Sequence, residues 1–284
     1  MAVDKPAGWT SHDVVAKSRG LLGTKKVGHA GTLDPSATGV LVLGVGKATR
    51  LLRYLGDLAK QYVGELVLGT ETTTLDAEGD VVRTHDMAAV TLEDVREAAA
   101  TFVGPILQVP PMVSAVKVDG KKLYELAREG VEIEREARPV TIYSIEVDEG
   151  PEAGVHRLTV SCSGGTYVRT LVADIGTALG GGAHLRALRR IAVGGFDLSG
   201  AVPLDALGPD AVRPPADAVA HLDRTVVDAE VAADVATGKV LPLDRLGVDG
   251  EGPWAVLDEG GSLLAVYRAH RPGTAKPDLV LVSA

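Results

Sequence analysis

The chain has 284 residues, of which 45% are hydrophobic, 24% charged and 4% aromatic, so it has the composition of an ordinary globular protein. This length suits one large domain, or a large domain followed by a small one. The single cysteine, Cys162, excludes an intrachain disulfide and a zinc site built from several cysteines.

Apolar runs in the chain are short. None approaches the roughly 18 residues that a membrane-spanning helix needs. The first residues do not combine a charged start with an apolar stretch, as a secretory signal does. We therefore expect no membrane association and a cytoplasmic location.

Charge is unevenly distributed along the sequence. The formal net charge of −9, taken alone, argues against a nucleic-acid partner. Residues 1–60, however, contain nine Lys/Arg and four Asp/Glu, a local charge of +5, and a second basic group follows at Arg186, Arg189 and Arg190. Because phosphate binding needs only a local basic patch, the charge pattern permits RNA binding without establishing it.

Strands and helices are predicted to alternate irregularly in the first half of the chain. We predict a buried strand over residues 40–45, a helix over 48–58, an alternating strand over 62–68 and a helix over 92–102. Thr91 is the expected N-cap of the second helix, because its hydroxyl can accept a hydrogen bond from the first turn.

The second half is predicted to contain strands first and then a small β-rich region. The elements are antiparallel strands over 140–147 and 156–162, a helix over 170–179, a short helix over 230–236, and strands over 254–257, 263–267 and 279–282. Prolines interrupt the chain between Pro203 and Val226. This order predicts an α+β fold around a mainly antiparallel sheet, with residues 1–224 as a first domain and residues 225–284 as a second.

The segment from Gly28 to Gly39 is the most informative part of the sequence. Glycines and Pro35 surround Asp34 in a stretch that cannot form a regular helix or a central strand. Pro35 also disfavours the helical conformation at Asp34. A carboxylate on such a loop can approach a ligand without obstruction. The alternative is an ordinary surface turn, because Asp before Pro is common turn chemistry.

Five ordered motifs resemble those of the TruB-type tRNA pseudouridine-55 synthases. They are Asp4 to His12, Gly28 to Gly39, Ser114 to Lys117 with Gly120 and Tyr124, Gly164 to Thr170, and Gly182 to Arg190. They cover roughly residues 4 to 196, and five motifs in order are far more specific than any one alone. Only three residues precede Asp4, fewer than the family's first strand has. We therefore expect the start of the chain to be truncated or misassigned, which touches no site residue.

The resemblance implies a bent mixed sheet of pseudouridine-synthase type and a C-terminal PUA-like RNA-binding domain over residues 225–284. It also implies an isomerase that converts uridine 55 in the T-loop of tRNA to pseudouridine, with the target nucleotide flipped into the pocket. This reaction breaks and remakes a glycosidic bond without redox change or net hydrolysis, so we expect no cofactor and no metal. The expected partner is the T-stem-loop of tRNA, and the expected state is a monomer.

By the same resemblance, catalysis is assigned to Asp34, Tyr62 and Arg169. Asp34 acts on the ribose as an ionised carboxylate. Arg169 pairs with it, and an Arg at that range typically lowers a carboxylate pKa by about 1–3 units. Tyr62 stacks on the target base and is a candidate proton acceptor. Tyr167, which alternates with Arg169 on an expected strand, lines the same pocket, and Leu188 closes it from the side.

Four further residues are expected to bind substrate, namely His29, Asp76, Lys5 and Lys117. His29, in the flexible loop, is expected to fill the space that a flipped nucleotide leaves. Asp76 matches an acidic position near the family's pocket, although a hairpin turn explains it equally well. Lys5 and Lys117 either contact phosphate or support the loop, and the sequence does not separate these two roles.

Two other classes of function stay open on the sequence. A non-catalytic RNA-folding factor would use the basic patch and leave Asp34 idle. A glycosidase-like hydrolase also attacks a sugar carbon with a carboxylate, but it usually needs a second carboxyl about 5–9.5 Å away, and none is obvious in the motifs. A nucleotide-binding loop is not indicated at residues 44–49, because Ala48 follows Lys47 where Ser or Thr is required.

Overall fold

The computed structural model describes residues 1–114, 131 and 133–282 in full, and residues 117–118 and 121–122 as backbone only. The motif residues Ala115, Val116, Gly120 and Tyr124 lie outside the described residues. None of the helices within the described ranges is long and apolar enough to cross a membrane.

Fourteen strands precede residue 204 in the part of the chain that is described. They are β1 (Ala2–Lys5), β2 (Val27–Ala30), β3 (Thr38–Val45), β4 (Lys60–Leu68), β5 (Thr70–Thr72), β6 (Val81–Thr84), β7 (Gly104–Gln108), β8 (Lys117–Val118), β9 (Lys121–Lys122), β10 (Arg138–Glu149), β11 (Val155–Cys162), β12 (Ala183–Val193), β13 (Phe196–Asp197) and β14 (Ala201–Pro203). Ten of them form one mixed sheet, in the order β14-β1-β3-β12-β4-β11-β10-β7, with β2 beside β3 and β13 beside β12.

Most neighbours in this sheet are antiparallel, as predicted. Among the described strand pairs of this sheet, only β1 with β14 and β12 with β3 run parallel. The central pairing of β4 with β12 places Tyr62 opposite Arg190, and on its other side β4 places Tyr62 opposite Val160. The sheet therefore places the fourth strand between the eleventh and twelfth strands, which lie far from it in sequence.

Three α-helices of the described ranges accompany the main sheet. They are α1 (Ser11–Leu21), α2 (Leu92–Ala100) and α3 (Val168–Ala178), and a 3-10 helix spans Gly46–Leu55. The predicted cap at Thr91 is confirmed, since its side chain accepts a hydrogen bond from the Asp94 backbone and the Asp94 carboxylate bonds back. Val95 of α2 and Leu171 of α3 pack in one core with Leu33 and Tyr62. The Asp34 loop thus borders the largest core of the protein.

The predicted C-terminal strands form a second sheet of five. It contains β15 (Asp223–Val227), β16 (Leu241–Pro242), β17 (Trp254–Asp258), β18 (Leu263–Ala269) and β19 (Thr274–Val280), in the order β15-β17-β18-β19-β16, together with helices α4 (Ala229–Ala236) and α5 (Leu243–Leu246). The α+β fold with a small β-rich C-terminal unit is therefore confirmed.

The second sheet packs against the 3-10 helix of the first part. Leu51 lies in one buried cluster with Val219, Leu257 and Leu279. At the rim, the Arg53 guanidinium donates to the Asp278 carboxylate at 2.8 Å. Apolar packing and a polar rim together fix the C-terminal unit beside the main sheet.

Two parts of the sequence adopt a structure that the hydrophobic pattern did not predict. Residues 48–58 were expected to form an α-helix, and they lie mostly in the 3-10 helix, which ends at Leu55. Residues 183–193 were not predicted as a strand, yet β12 occupies the centre of the sheet. Its arginines interrupt the apolar alternation by which a strand is recognised in sequence.

Candidate active site

Asp34 lies on the loop between β2 and β3, at the edge of the main sheet. The loop returns to the sheet through Gly39, whose φ is +101°. A Cβ at this position would lie 2.1 Å from the backbone oxygen of Arg190. Only glycine therefore allows β3 to approach β12 so closely at the end of the loop.

A buried lysine, Lys5, supports the Asp34 loop through hydrogen bonds to backbone oxygens. The Lys5 ammonium donates to the backbone oxygens of Pro6 at 2.9 Å, Trp9 at 2.6 Å and Pro35 at 3.1 Å. Burial is the main cause that lowers the pKa of Lys5 to about 8, and the nearby Asp34 carboxylate opposes it. Because this side chain is fully buried, the structure favours the alternative in which Lys5 supports the loop over the one in which it contacts phosphate.

A buried arginine holds the loop from the sheet side. The Arg190 guanidinium donates to the backbone oxygens of Val40 at 2.7 Å, Thr32 at 3.4 Å and Gly31 at 3.0 Å. Arg190 was grouped by sequence with a basic surface cluster. Its side chain is instead buried at the centre of the sheet, so it offers no surface charge to a phosphate.

Arg169 joins two carboxylates that are distant in sequence. Its Nη2 lies 3.2 Å from Asp34 Oδ2 and its Nη1 lies 3.2 Å from Asp76 Oδ2. Nη2 also donates to the Val113 backbone oxygen at 2.6 Å. The Arg169 side chain is 4% exposed while that of Asp34 is 39% exposed. The guanidinium is therefore a buried, fixed donor, and the Asp34 carboxylate is its solvent-facing partner.

The pKa of Asp34 is set by opposing effects. Burial raises the pKa of this carboxyl above its usual value, the Arg169 guanidinium lowers it, and the neighbouring Asp76 carboxylate raises it further. Arg169 therefore acts in the expected direction, but desolvation of the carboxylate is the larger effect, and the pKa of Asp34 lies above its usual value. Arg169 limits the rise and so favours the ionised form.

A cavity of about 260 Å³ opens beside Asp34. Its lining includes the predicted residues Asp34, Tyr62, Tyr167, Arg169 and Leu188. Four of the cavity residues that were not predicted carry side chains able to contact a ligand: Lys60, Ser114, Thr166 and Arg190. The structure thus brings five of the nine proposed site residues into one concave site.

Tyr62 lies on β4 and is 7% exposed. Burial is the main cause that raises the pKa of its phenol, and the adjacent Arg190 lowers it. The phenol is therefore neutral near pH 7, since even an unperturbed tyrosine titrates near pH 10. A role as proton acceptor would require the phenol to pass its own proton on.

Tyr167 and Leu188 line the cavity, but from elements other than those expected. Tyr167 is the N-cap of α3, and Arg169 lies in the first turn of that helix, so the expectation that they alternate on a strand is wrong. The buried Gln108 side chain fixes the Tyr167 backbone, accepting from its N–H at 2.7 Å and donating to its oxygen at 3.1 Å. Leu188 lies on the central strand β12.

Asp76 contacts Arg169 rather than the main cavity. The Thr74 hydroxyl donates to Asp76 Oδ1 at 2.5 Å and the Glu78 backbone N–H donates to the same oxygen at 3.1 Å. These bonds leave Oδ2 for Arg169. The expectation that Asp76 binds substrate is not supported by this geometry, which makes it the residue that orients Arg169.

His29 lies on strand β2 and not in the flexible loop, so that part of the prediction is wrong. Its ring meets that of His12 edge-to-face, with centroids 5.4 Å apart. Burial lowers the pKa of His29, which favours the neutral imidazole. The side chain of Lys117, the last of the predicted site residues, lies outside the described residues.

The basic cluster on β12 is neutralised by carboxylates. The Arg186 guanidinium pairs with Glu65 at 2.8 Å and also with Glu152, and Arg189 pairs with Asp4 at 2.7 Å. By contrast, Lys17, Lys25 and Lys26 are exposed, and they take part in no ion pair among the described residues. Part of the exposed, unpaired positive charge of the described residues therefore lies at α1 and the turn that follows it.

The cavity residues that were not predicted stand in no sequence pattern that clearly indicates a binding site. Lys60 begins β4, two residues before Tyr62, and Ser114 begins the third motif, but a lone lysine or serine is indistinguishable from a surface residue without its neighbours. The Ser114 hydroxyl is buried and has no hydrogen-bond partner among the described residues. Within the described ranges, no three His, Cys, Asp or Glu side chains cluster closely enough to hold a metal ion.

Sequence comparison relates the chain to enzymes that modify tRNA. A family model described as "TruB family pseudouridylate synthase (N terminal domain)" matches residues 19–168, and one described as "tRNA pseudouridylate synthase B C-terminal domain" matches residues 169–233. A relative named tRNA pseudouridine synthase B from Streptomyces coelicolor is 48% identical, covering 96% of this chain and 94% of its own. A protein of the same name from Halalkalibacterium halodurans is 45% identical, covering 98% and 96%.

Solved structures share the fold. The crystal structure of a Cbf5-Nop10-Gar1 complex matches with a TM-score of 0.78 at 28% identity, covering 100% of this chain and 84% of that chain. The structure of an H/ACA RNP bound to a substrate RNA containing 2′-deoxyuridine matches with a TM-score of 0.76 at 26% identity, covering 99% and 84%.

Proposed function

The chain belongs to the TruB family of pseudouridylate synthases, and we propose that it isomerises uridine 55 in the T-loop of tRNA to pseudouridine, with Asp34 as the catalytic carboxylate. The observation that carries this proposal is the Asp34–Arg169 pair, 3.2 Å apart, at a cavity of about 260 Å³. The carboxylate is partly exposed while its cationic partner is buried. A nucleoside entering the cavity meets the carboxylate before it reaches the inner wall.

The chemistry needs a fixed, ionised carboxylate at the sugar. Asp34 either adds to the ribose carbon C1′ or removes the 2′ proton, and both steps require the charged form. Arg169 favours this form and fixes the direction of the carboxylate, which a planar guanidinium does better than an ammonium. Asp76 in turn fixes Arg169 through the second guanidinium nitrogen, 3.2 Å away.

Isomerisation also requires that the detached base stays in place while it turns. Tyr62 and Leu188 supply apolar surface on the cavity wall, and stacking of a base on an aromatic ring contributes about 1–3 kcal/mol. The target nucleotide must leave the T-loop stack to reach Asp34. We assign the retention of the detached base to the Tyr62 ring. We assign to His29, which lies beside the Asp34 loop, contact with the part of the RNA from which the target nucleotide has flipped out.

The RNA is held outside the cavity by charge and by the C-terminal unit. Lys17, Lys25 and Lys26 form an exposed basic surface near His29 and are the proposed phosphate contacts. We propose that residues 1–224 form the catalytic domain and residues 225–284 a PUA-like RNA-binding domain. The protein is further proposed to act as a cytoplasmic monomer.

The test uses tRNA transcript labelled with tritium at carbon 5 of uridine, since pseudouridine formation releases that hydrogen. Wild-type protein should release tritium, whereas Asp34→Asn should release none and still bind tRNA within a few-fold of wild type. Asp217→Asn is the matched control, because Asp217 forms an ion pair with Arg213 outside the cavity. Equal release by wild type and Asp34→Asn would eliminate the catalytic role of Asp34. Free uracil in the reaction would indicate a hydrolase.

A further inference from the structure

The inner wall of the cavity carries two cations that the mechanism above does not use. Lys60 and Arg190 both line the cavity, and they are 5% and 1% exposed. A Cβ on Gly31 would lie 3.4 Å from Arg190 Nη1 and 3.6 Å from Lys60 Cε. The two positive side chains therefore lie close to each other, next to Gly31 of the Asp34 loop.

Neither cation has a carboxylate partner within the residues that the structure describes. The Lys60 ammonium donates to the backbone oxygens of Gly56 at 2.7 Å and Leu58 at 2.9 Å. Arg190 donates to the loop carbonyls described above. An ammonium has three N–H donors, and these two carbonyls occupy only two of those of Lys60. Carbonyl dipoles satisfy the donors but do not neutralise the charge.

Burying two positive charges without a negative partner is unfavourable in free energy, because both lose their hydration and they repel each other. Burial lowers the pKa of Lys60, and the adjacent Arg190 guanidinium lowers it further. An anion placed beside them would relieve this repulsion and favour the protonated lysine. The inner end of the cavity is thus electrostatically suited to negative charge, although the entrance carries the Asp34 carboxylate.

We propose that Lys60 and Arg190 stabilise the negative charge that develops on uracil when its bond to the ribose breaks. This inference rests on the proposed function. As the C1′–N1 bond breaks, its electron pair leaves with the base and spreads over N1 and the two carbonyl oxygens of uracil. The ribose either gains a bond from C1′ to Asp34 or loses its 2′ proton to Asp34. When C5 then bonds to C1′, either the C1′–Asp34 bond breaks or C2′ takes its proton back from Asp34, and the ring charge is consumed. Loss of the C5 proton and uptake of a proton at N1 complete the isomer.

Depth in the cavity favours the base over a phosphate as the group that reaches these cations. The ribose is held at Asp34, whose side chain is 39% exposed. Tyr62 follows Lys60 by two residues on the same strand, so the two side chains share one face of the sheet, and both line the cavity. The phosphates of the flipped nucleotide stay on the ribose side, toward solvent. Preorganised charge at the leaving group is an effective form of catalysis because it need not reorganise during the reaction.

The test compares two substrates in single-turnover reactions on T-stem-loop RNA, with uridine or 5-fluorouridine at the target position. Fluorine withdraws electron density, so fluorouracil departs as a weaker base and depends less on outside stabilisation. Lys60→Gln removes the charge and keeps an amide donor for the two carbonyls, and Lys60→Met is a second charge-free variant. Lys5→Gln is the matched control, because Lys5 is also buried and bonded to carbonyls but does not line the cavity.

Both reactions are followed by the disappearance of the target nucleoside, because 5-fluorouridine has no C5 proton to lose. We expect Lys60→Gln to slow the disappearance of uridine by about 10- to 1,000-fold and that of 5-fluorouridine by a clearly smaller factor. Lys60→Met should show the same difference, and Lys60→Arg, which keeps the charge, should stay closer to wild type. Lys5→Gln should slow both substrates equally. Equal slowing of both substrates by the charge-free Lys60 variants would overturn the inference.

The proposed function is tested separately by Asp34→Asn on the same two RNAs. Loss of both reactions in Asp34→Asn, combined with equal slowing in the Lys60 variants, would remove only the role of Lys60 and Arg190. Turnover by Asp34→Asn would instead remove the proposed function itself.

Discussion

Replacement of Arg169 by methionine should weaken both folding and catalysis, for reasons that can be separated. The buried guanidinium makes one contact each to Asp34, Asp76 and the Val113 backbone oxygen. Methionine fills a similar volume but leaves the Asp76 carboxylate, whose side chain is only 12% exposed, without its cationic partner. Removal of one partner of a buried ion pair costs about 3–5 kcal/mol, which should appear in the free energy of unfolding measured with denaturant.

The same substitution should change the pH dependence of the reaction. Burial raises the pKa of Asp34 and Arg169 opposes that rise, so without Arg169 this pKa should increase by about 1–3 units. Because the carboxylate must be ionised, the acid limb of the single-turnover rate should move to higher pH by the same amount. The rate should therefore fall more at pH 6 than at pH 8.

Arg186→Met is the matched control. Arg186 also pairs with two carboxylates, Glu65 and Glu152, but its side chain is 33% exposed, so its loss should cost only about 0–1 kcal/mol and leave the pH profile unchanged. A slower Arg169→Met enzyme with an unmoved acid limb would refute the claim that Arg169 governs the ionisation of Asp34. Unfolding free energies that do not differ between the two variants would refute the assignment of a buried ion pair.

Three further outcomes are expected. Tyr62→Phe keeps the stacking ring, so tRNA binding should stay within a few-fold, while tritium release should fall by about 10²–10⁴-fold for a proton acceptor; unchanged release would leave Tyr62 with stacking alone. Gly39→Ala should lower the free energy of unfolding by about 2–5 kcal/mol, because it adds both backbone strain and overlap with a neighbouring carbonyl. Gly23→Ala, with a φ of +61° and open space around it, should show only the strain of about 1–2 kcal/mol. Affinity for tRNA should fall as salt rises, and replacing Lys25 and Lys26 together by Gln should reduce the slope of log K against log salt by about 1–2; an unaltered slope would place the phosphate contacts elsewhere.

Local sequence patterns identified the elements that depend on local interactions. The helix capped at Thr91 and the antiparallel pair β10 and β11 follow from capping residues and alternation, and both are present. The strands β17 and β18 were also predicted close to their actual bounds. In each case the residues that stabilise the element lie within it or beside it in sequence, so a single sequence contains the information.

The central strand β12 could not be recognised in this way. A strand with Arg186, Arg189 and Arg190 within five residues resembles a charged surface segment. It is stable in the middle of the sheet because Glu65 and Asp4 pair with two of the arginines and the carbonyls of the Asp34 loop accept from the third. These partners lie on other strands and loops, and their proximity is a property of the folded sheet.

The sequence by itself determined the family, the mixed α+β fold and the position of the Asp34 loop, because motif spacing and the conformational limits of glycine and proline are properties of the chain. The tertiary structure decided the electrostatics of the site. It buried Lys5 and Arg190 under the loop, placed Asp76 behind Arg169, and set Lys60 at the inner wall of the cavity. The charge state and orientation of a side chain depend on desolvation and on partners brought from distant strands, and no residue carries that information in its own sequence neighbourhood.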